Sequence, residues 1–477
     1  MTDTVTSYDQ VPYAYYSFPD SHPRRLQAVA RLLGLETAAP AQCRVLELGC
    51  AVGGNVVPMA YSLPKAQFIG IDLVESQIES ARKFATACSL TNLDLRAANI
   101  MEVTPEWGQF DYIIAHGVFS WVPHEVAEKV LQLCGELLAP NGLAYISLNT
   151  YPGAHARMWV REAMLFHADA FLDPIQKARA GREFILSLAR TPLLSALLHP
   201  EVQYFENNPD SYLVHEYLEG TNHPFYFRDF AARSASHGLQ YLGDAIQNGI
   251  VGAENSPGFR NWLEANARDL IRLEQYADFV RNRVFRRALL CRENVTLDRS
   301  QLPARAETMQ VAAFFRQTAE ANGMTRFQHS LGARRVVGPG PLHDALVRIS
   351  GRFPHAIAVA EVVGAAGGQH RELLLHELVN CWMNGMLELY ADAPPVLARS
   401  PSDKPRASSV ARYLAAQNES PINQRHGSIT VDATQRQFIQ LLDGTRTRDQ
   451  LAAALGMPRA AIDQLVQFTM NAALLEE

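Results

Sequence analysis

The first third of the chain alternates short apolar runs with stretches of helical periodicity. Five runs predict strands: Val45 to Leu48, Gln67 to Asp72, Leu93 to Ala97, Phe110 to Ala115 and Leu143 to Leu148. The stretches between them repeat apolar residues at intervals of three and four, as amphipathic helices do. Strands that alternate with helices predict a parallel, doubly wound sheet and an α/β fold.

Helical periodicity then continues without a strand until about residue 222. We interpret residues 156–225 as a helical insertion above the edge at which the strands end. A helix at Phe230 to His237 follows, with apolar runs at Leu239 to Gly243 and Val284 to Cys291. These two runs predict a terminal strand pair, which brings the sheet to seven strands and makes residues 226–298 the end of the α/β fold.

Two smaller units are predicted after the sheet. Residues 299–396 combine a strand pair at Phe327 to Val337 with helices at Leu342 to Phe353 and His370 to Gly385. Helix-turn-helix units with flanking strands resemble winged helices.

A second unit of this winged-helix-like kind is predicted at residues 397–477. Its helices end near Leu442, span Arg448 to Leu455 and run from Pro458 to Leu475. Because basic and acidic residues nearly balance there, we expect this unit to contact another protein rather than DNA. The remaining boundaries place an N-terminal arm and helix at residues 1–40 and the core of the α/β fold at residues 41–155.

A glycine-rich turn separates the first two predicted strands. It contains Gly49, Gly53 and Gly54, and Asp72 ends the second strand. Glycine lets the backbone approach a ligand closely, and a carboxylate about 20 residues beyond such a turn suits a pair of ribose hydroxyls. Ligands of parallel sheets bind at the carboxyl ends of the strands. The pattern therefore predicts a nucleoside cofactor.

Glu47 narrows the choice of cofactor. Gly49-x-Ala51-x-x-Gly54 could pass as a weakened dinucleotide fingerprint, but Glu47 at the mouth of the first strand would repel a pyrophosphate. A ligand with an ammonium and a sulfonium tolerates this carboxylate. Glu47, Gly49, Ala51 and Gly53 resemble motif I of the class I S-adenosylmethionine methyltransferases, with Ala51 in place of the usual middle glycine.

Length and composition limit the other possibilities. The chain has 477 residues, of which 48% are hydrophobic and 19% charged, as is typical of a soluble protein of several domains. A net charge of -6 gives no general attraction to nucleic acid, so we expect no nucleic-acid partner. No apolar run could span a bilayer, and the N-terminal residues lack a signal pattern, so we expect a cytoplasmic protein. The six cysteines have no metal or disulfide spacing, and we predict no metal site.

Further blocks extend the resemblance over most of the chain. They are YDQVPY, ELGCAVGGN, GIDL, HGVFSWVP, NTYPG, HEYLE, NHPFYF, GLQYLGDA and EQYADFVRNRVFRRALLCR. In this order they resemble the bacterial methyltransferases that carry a methyltransferase regulatory domain, among them the rickettsial protein lysine methyltransferases of outer-membrane protein B. The resemblance implies a Rossmann-like catalytic domain, a helical middle domain able to support a homodimer, a C-terminal domain that helps to hold substrate, and transfer to lysine.

The resemblance also implies a set of cofactor contacts. Glu47 and Gly49 would hold the methionine end of S-adenosylmethionine, Asp72 the ribose, and Asn99, just past the third strand, the adenine amino group. The full predicted set is Glu47, Gly49, Ala51, Gly53, Asn55, Asp72, Leu73, Asn99, Ile100 and His116.

Candidate catalytic residues follow the fourth and fifth strands. They are His116, Trp121, Asn149 and Tyr151, with Phe119 and Tyr226 as further pocket candidates. His116 and Asn149 could orient an acceptor amine, while Trp121 and Tyr151 could form aromatic walls that favour a developing cation. The alternative for His116 is a side chain satisfied by nearby backbone, and for Trp121 and Tyr151 it is ordinary packing of the loop onto the helical insertion. Aromatic residues of the N-terminal arm could cap the pocket or pack on the body: Tyr8, Tyr13, Tyr15, Tyr16 and Phe18.

The predicted reaction is direct in-line displacement of a methyl group onto a protein lysine, in which the protein aligns and dehydrates the acceptor. Two alternatives stay open. One is a small-molecule N- or O-methyltransferase with the helical insertion as a lid. The other is a catalytically idle body whose winged helices bind a regulator or DNA.

Overall fold

Seven strands form one mixed sheet in the N-terminal part of the molecule. A computed structural model describes residues 11, 14–246, 257–329, 332–392 and 394–476. The strands are β1 Arg44–Leu48, β2 Gln67–Asp72, β3 Leu93–Ala97, β4 Phe110–Ala115, β5 Leu138–Asn149, β6 Leu239–Asp244 and β7 Phe285–Arg292. Their order is β3-β2-β1-β4-β5-β7-β6, and β7 runs antiparallel to both of its neighbours. This arrangement confirms the predicted Rossmann-like α/β fold.

The start of β5 differs from the prediction. Leu138 already pairs with Phe110, and the ladder resumes where Leu143 pairs with Tyr112. The register therefore shifts across residues 139–142, which contain the predicted turn at Asn141 and Gly142.

Both faces of the sheet are buried by helices. Val45 joins the apolar core on one face, whereas Leu46 and Leu48 join the core on the other. Such two-sided burial explains why the strands read as apolar runs and not as alternating ones. The covering helices are Pro23–Leu32, Val56–Ser62, Glu75–Ala87, His124–Leu137, Phe227–Ser236 and Leu270–Arg281. The helices Pro257–Asn266 and Leu270–Arg281, between β6 and β7, were not predicted.

A network of buried charges lies where β7 meets the helix Leu270–Arg281. The Arg286 guanidinium is fully buried and lies 2.9 Å from Asp244, 2.8 Å from Asp278 and 2.8 Å from Glu274. Arg283 pairs with the same two aspartates. Each nitrogen of the Arg286 guanidinium has a hydrogen-bond acceptor, so the charge is satisfied inside the protein.

The helical insertion packs around its own apolar cluster. Its helices are Ala154–His167, Pro174–Leu188, Ser195–Asn207 and Asp210–Leu213, followed by a π-helical turn at Val214–Leu218. Val11 of the N-terminal arm joins this cluster, and its carbonyl oxygen lies 2.8 Å from His215 Nε2. Tyr8 and Tyr13 of the arm lie outside the described residues.

The first C-terminal unit contains two small sheets where a single strand pair was predicted. One sheet has the order β11-β10-β9 and the other β12-β8-β13, with the strands β8 Gln310–Ala312, β9 Phe315–Ala319, β10 Thr325–His329, β11 Arg334–Val337, β12 Ile357–Ala358 and β13 Glu388–Tyr390. Its helices are Leu302–Glu307, Pro341–Arg352, Val359–Gly364 and Arg371–Met383.

The second C-terminal unit is helical, with helices at Ser409–Ala416, Ala433–Leu441, Arg448–Leu455 and Arg459–Asn471. Isolated bridges, such as that between Ile422 and Ser428, stand where flanking strands were expected. Across the described part of the chain, none of the helices combines the length and the apolar character that crossing a membrane requires.

Candidate cofactor and acceptor site

The turn after β1 adopts the backbone conformation that its glycines permit. Gly49, Ala51 and Gly53 have φ values of 74°, 46° and 79°. Ala51 therefore occupies a left-handed position that glycine usually takes, at a modest conformational cost. A side chain on Gly49 would bring its Cβ to 2.5 Å from Val118 Cγ2. The turn thus needs glycine at its first position.

Asp72 ties the end of β2 to this turn. Its carboxylate accepts hydrogen bonds from the backbone N–H of Ala51 at 2.9 Å and of Val74 at 3.0 Å. Burial raises the pKa of Asp72, while these hydrogen bonds act in the opposite direction. Each carboxylate oxygen retains a second lone pair, which leaves acceptors for a pair of hydroxyl groups. Asp72 therefore shapes the turn in addition to its predicted ligand role.

Glu47 is a buried carboxyl group with one oxygen left open. It is only 2% exposed, and its Oε1 accepts a hydrogen bond of 2.7 Å from Asn55 Nδ2. Its Oε2 has no hydrogen-bond partner among the described residues. Burial raises the pKa of Glu47 to about 7, although the bond from Asn55 lowers it. A buried oxygen without a donor is costly unless a ligand supplies one, and an ammonium group fits this requirement.

The N-terminal arm, residues 14–22, lies across the glycine turn. A Cβ on Gly54 would come within 2.7 Å of the Tyr16 backbone nitrogen, and Phe18 N–H donates to Asn55 Oδ1 at 3.0 Å. Tyr15 packs edge-on against Phe84 with ring centroids 5.4 Å apart. The arm therefore contacts the predicted cofactor site directly, and its aromatic side chains also pack on the body.

The residues after β2 and β3 offer an apolar surface beside a polar group. Leu73 is 67% exposed and Met101 is 45% exposed, while Ile100 packs partly against the core. Asn99 Oδ1 already accepts a hydrogen bond from Met101 N–H at 3.0 Å, so one of its two lone pairs remains for a ligand. Met101 was not among the predicted contacts.

His116 follows β4 and begins a chain of hydrogen bonds. Its Nδ1 lies 2.8 Å from the Tyr145 hydroxyl, which donates to Asp20 at 2.8 Å, and Asp20 pairs with Arg287 at 3.0 Å. Because the Tyr145 proton is directed to Asp20, Nδ1 must donate to the hydroxyl oxygen. Burial lowers the pKa of His116 to about 3, so the ring is neutral and Nε2 is a proton acceptor. The Phe18 ring stacks on it at 3.4 Å.

The other residues of the loop after β4 differ in accessibility. Trp121 is half-buried. Phe119 is fully buried against Phe225 and Phe230, so it supports the loop from the core and does not line an open pocket.

Asn149 ends β5 and is fixed by Asn222, near the end of the helical insertion. Its Nδ2 donates to Asn222 Oδ1 at 3.0 Å, and its backbone N–H donates to Ser120 Oγ at 2.9 Å. It is 7% exposed. The side chain is therefore held in place, and among the described residues its Oδ1 remains an acceptor without a donor.

A partly exposed aromatic cluster follows Asn149. Tyr151 stacks on His155 at 4.2 Å and lies 5.2 Å from Tyr226, whose hydroxyl is 3.2 Å from His155 Nε2. Phe279, 50% exposed, extends the cluster at 6.0 Å from Tyr226. The structure therefore brings Tyr151 and Tyr226 together from separate parts of the chain, as electron-rich rings that a cation can approach.

Sequence reasoning missed four residues of this region. Tyr145, Asn222 and His426 each bond to a predicted site residue, namely His116, Asn149 and Asn55. Asp20 accepts a hydrogen bond from Tyr145. Within the described residues, no group of three histidine, cysteine or acidic side chains is placed to hold a metal ion.

Three family models match separate parts of this chain. A methyltransferase domain matches residues 45–142, a predicted methyltransferase regulatory domain matches 209–292, and the C-terminal winged helix domain of PKMT matches 403–470.

Relatives of known sequence come from Rickettsia prowazekii. Uncharacterized protein RP028 is 37% identical over 242 residues, which cover 50% of this chain and 96% of RP028. Uncharacterized protein RP789 is 38% identical over 299 residues, which cover 61% of this chain and 54% of RP789. The chain thus spans about half the length of RP789.

A solved structure is similar over nearly the whole chain. This structure is PKMT2 from Rickettsia typhi in complex with AdoHcy, with a TM-score of 0.86 and 26% sequence identity. The match covers 97% of this chain and 100% of the PKMT2 chain. Together with the strand order and the glycine turn, these matches define the class as Rossmann-like, class I methyltransferases. The chain belongs to the S-adenosylmethionine-dependent methyltransferases that carry a methyltransferase regulatory domain.

Proposed function

We propose that this chain binds S-adenosylmethionine at the carboxyl edge of its sheet and transfers the methyl group to lysine side chains of a protein. The observation that carries the proposal is the unpartnered Glu47 Oε2, buried beside a left-handed glycine turn and next to Asp72. This arrangement matches the ammonium and ribose of one ligand. The AdoHcy bound to PKMT2 of R. typhi supports the same cofactor.

The residues of the chain would act by holding and orienting. Glu47 binds the ammonium, Asp72 the ribose hydroxyls and Asn99 the adenine amino group, with Gly49, Ala51 and Gly53 allowing close approach of the backbone. Asn55, Leu73, Ile100 and His116 complete the proposed contacts. The bound cofactor supplies an electrophilic methyl group on a sulfonium, so the chain itself needs to align and dehydrate the acceptor.

The acceptor side suits an amine. A lysine amine has an ordinary pKa near 10.4 and attacks only as the neutral form, so the site must favour loss of its proton. We propose that His116 Nε2 and Asn149 Oδ1 accept hydrogen bonds from this amine. Trp121 and the Tyr151 cluster would favour the positive charge that develops on nitrogen. The winged-helix match to PKMT, an abbreviation for protein lysine methyltransferase, supports a protein substrate.

The test is transfer of radiolabelled methyl groups from S-adenosylmethionine to a native-host lysate that is then separated by molecular size. We expect label in protein, recovered as methyl-lysine by mass spectrometry. Asp72→Asn, which removes the charge near the ribose, should lower both label and cofactor affinity. Label found only in small metabolites would contradict the lysine acceptor and favour the small-molecule alternative, and no cofactor binding would contradict the whole proposal.

The proposal includes a cytoplasmic homodimer. Apolar side chains of the helical insertion are exposed, among them Phe166 at 81%, Leu172 at 97% and Leu193 at 87%, which supports an interface there. All six cysteines are unpaired and buried, which supports a reducing compartment. Sedimentation equilibrium of the full chain should give twice the monomer mass, and a monomer at micromolar concentration would contradict the dimer.

A further inference from the structure

A histidine of the C-terminal winged-helix unit reaches the cofactor site. His426 is separated from Asn55 by 371 positions, yet its Nε2 lies 2.8 Å from Asn55 Oδ1. It is 3% exposed. Asn55 is the residue that donates to Glu47, so one side chain connects the two parts of the molecule.

The direction of these hydrogen bonds is fixed by a backbone group. Phe18 N–H can only donate, and it lies 3.0 Å from Asn55 Oδ1, which identifies this atom as the amide oxygen. The Asn55 Nδ2 then points at Glu47 Oε1. His426 Nε2 must therefore carry a proton and donate it to Oδ1. Burial lowers the pKa of His426 to about 3, in keeping with a neutral ring that donates from one nitrogen.

The loop that presents His426 is tightly held. Asn423 Oδ1 accepts from the backbone N–H of Arg425 at 3.0 Å and of Gly427 at 2.8 Å, and Asn423 Nδ2 donates to the Ala472 carbonyl at 2.9 Å. The Arg425 guanidinium pairs with Glu388 of the neighbouring unit. A loop fixed at both ends places its histidine in one position, as an accurate contact to Asn55 requires.

We propose that His426 is a positioning residue for the cofactor: its hydrogen bond to Asn55 keeps the amide turned toward Glu47 and so presents Glu47 Oε2 to the ammonium of the methionine moiety. The inference depends on the proposed cofactor function, which it deepens. The winged-helix unit is thereby part of the cofactor site as well as a candidate substrate-binding module.

The test compares two ligands on the full-length protein. S-adenosylhomocysteine carries the ammonium, and 5′-methylthioadenosine keeps the nucleoside but lacks it. For His426→Phe, which keeps a ring and removes the donor, we expect affinity for S-adenosylhomocysteine to fall by roughly five- to ten-fold. Affinity for 5′-methylthioadenosine should change by less than about two-fold, because that ligand does not contact Glu47.

Two further variants separate positioning from general packing. His426→Gln can place an amide N–H near the position of Nε2, so it should restore much of the affinity. Ser428→Ala removes a 3.2 Å contact between the same loop and Ser17 of the arm and should leave both affinities unchanged.

The outcomes also separate this inference from the function on which it depends. Equal weakening of both ligands in His426→Phe, or unchanged binding of both in a variant that melts like wild type, would overturn the inference while the cofactor assignment stands. A wild-type chain that binds neither ligand would overturn the proposed function first.

Discussion

Two buried ionisable side chains on the same sheet differ in how completely they are hydrogen-bonded. Arg286 on β7 has an acceptor for every guanidinium nitrogen and lies among three acidic side chains. Glu47 on β1 has one donor, Asn55, and one open oxygen. Both side chains are nearly or fully inaccessible to water. The hydrogen bonds of the first group are all made within the protein, whereas the second has an oxygen for which the ammonium of the proposed cofactor would supply the donor.

Under the proposed function, this difference separates a structural charge from a ligand-binding one. A buried charge that is fully paired affects stability when it is removed, because its partners are then left unpaired. A buried charge with an open oxygen lowers the stability of the free protein, and its removal should raise that stability while weakening binding. The following variants test this contrast.

The largest effect is expected for Arg286→Met. Loss of the guanidinium leaves Asp244 and Asp278 buried without their main partner, and breaking such a pair costs about 3 to 5 kcal/mol. Chemical denaturation should show this decrease in the free energy of unfolding. As a control, Arg228→Met removes an ion pair between two exposed side chains, 68% and 53% exposed, and should change stability little. If Arg286→Met unfolded at the same denaturant concentration as the wild type, Arg286 would not be a stabilising charge.

Glu47→Gln should act in the opposite direction on stability. The folded-state pKa is about 7, above the ordinary 4.5, so the folded protein holds a proton that the unfolded chain releases. Stability of the wild type therefore falls as pH rises from about 4.5 to about 7, by up to about 3 kcal/mol. Glutamine does not ionise, so the free energy of unfolding of the variant should not fall in this way between about pH 4.5 and about pH 7. The variant should therefore be more stable than the wild type at pH 8.

The same variant should lose cofactor affinity. The charge-assisted bond to the ammonium contributes about 1.5 to 3 kcal/mol, which calorimetry with S-adenosylhomocysteine at pH 8 can measure. Binding to the wild type should weaken as pH falls below about 7, because Glu47 must be ionised. A pH-independent affinity in the wild type would contradict the role of Glu47 as the ammonium ligand.

The contrast also explains how far the sequence predicts this molecule. The strands, the glycine turn and the identities of Glu47 and Asp72 follow from local patterns, because buried parallel strands and tight turns restrict residue choice locally. The orientation of Glu47 does not, because it depends on Asn55 and, through it, on Phe18 and His426. No spacing rule connects residues 371 positions apart.

His116 illustrates the same limit. Its position after β4 was predictable from the sequence, but its tautomer depends on Tyr145 and Asp20, which come from β5 and the N-terminal arm. The β7 network was also hidden, because arginines and acidic residues near a strand usually indicate exposed ends.

Tyr145→Phe should have a smaller effect, confined to the reaction step. Removal of the hydroxyl leaves His116 Nδ1 without its acceptor, so Nε2 is no longer fixed as the proton-free nitrogen. We expect kcat to fall about five- to ten-fold, equivalent to one hydrogen bond of about 1 kcal/mol, with cofactor affinity unchanged. Tyr112→Phe is the matched control, because Tyr112 is equally buried and donates to the Ala38 carbonyl at the other end of the sheet. It should lower stability and leave kcat intact, and a similar kcat loss in both variants would contradict the His116 assignment.

The smallest effect is expected for Leu73→Ala, which tests an apolar contact in the proposed cofactor site and not a charged one. Leu73 is 67% exposed beside Asp72, so truncation leaves no cavity in the free protein and should not change its stability. If the adenine ring covers this side chain, the variant should lose about 1 kcal/mol of cofactor affinity, roughly five-fold. Leu373→Ala, at a 64% exposed position of the helix Arg371–Met383, is the control and should bind like wild type. Equal cofactor affinity in both variants would show that the adenine does not contact Leu73.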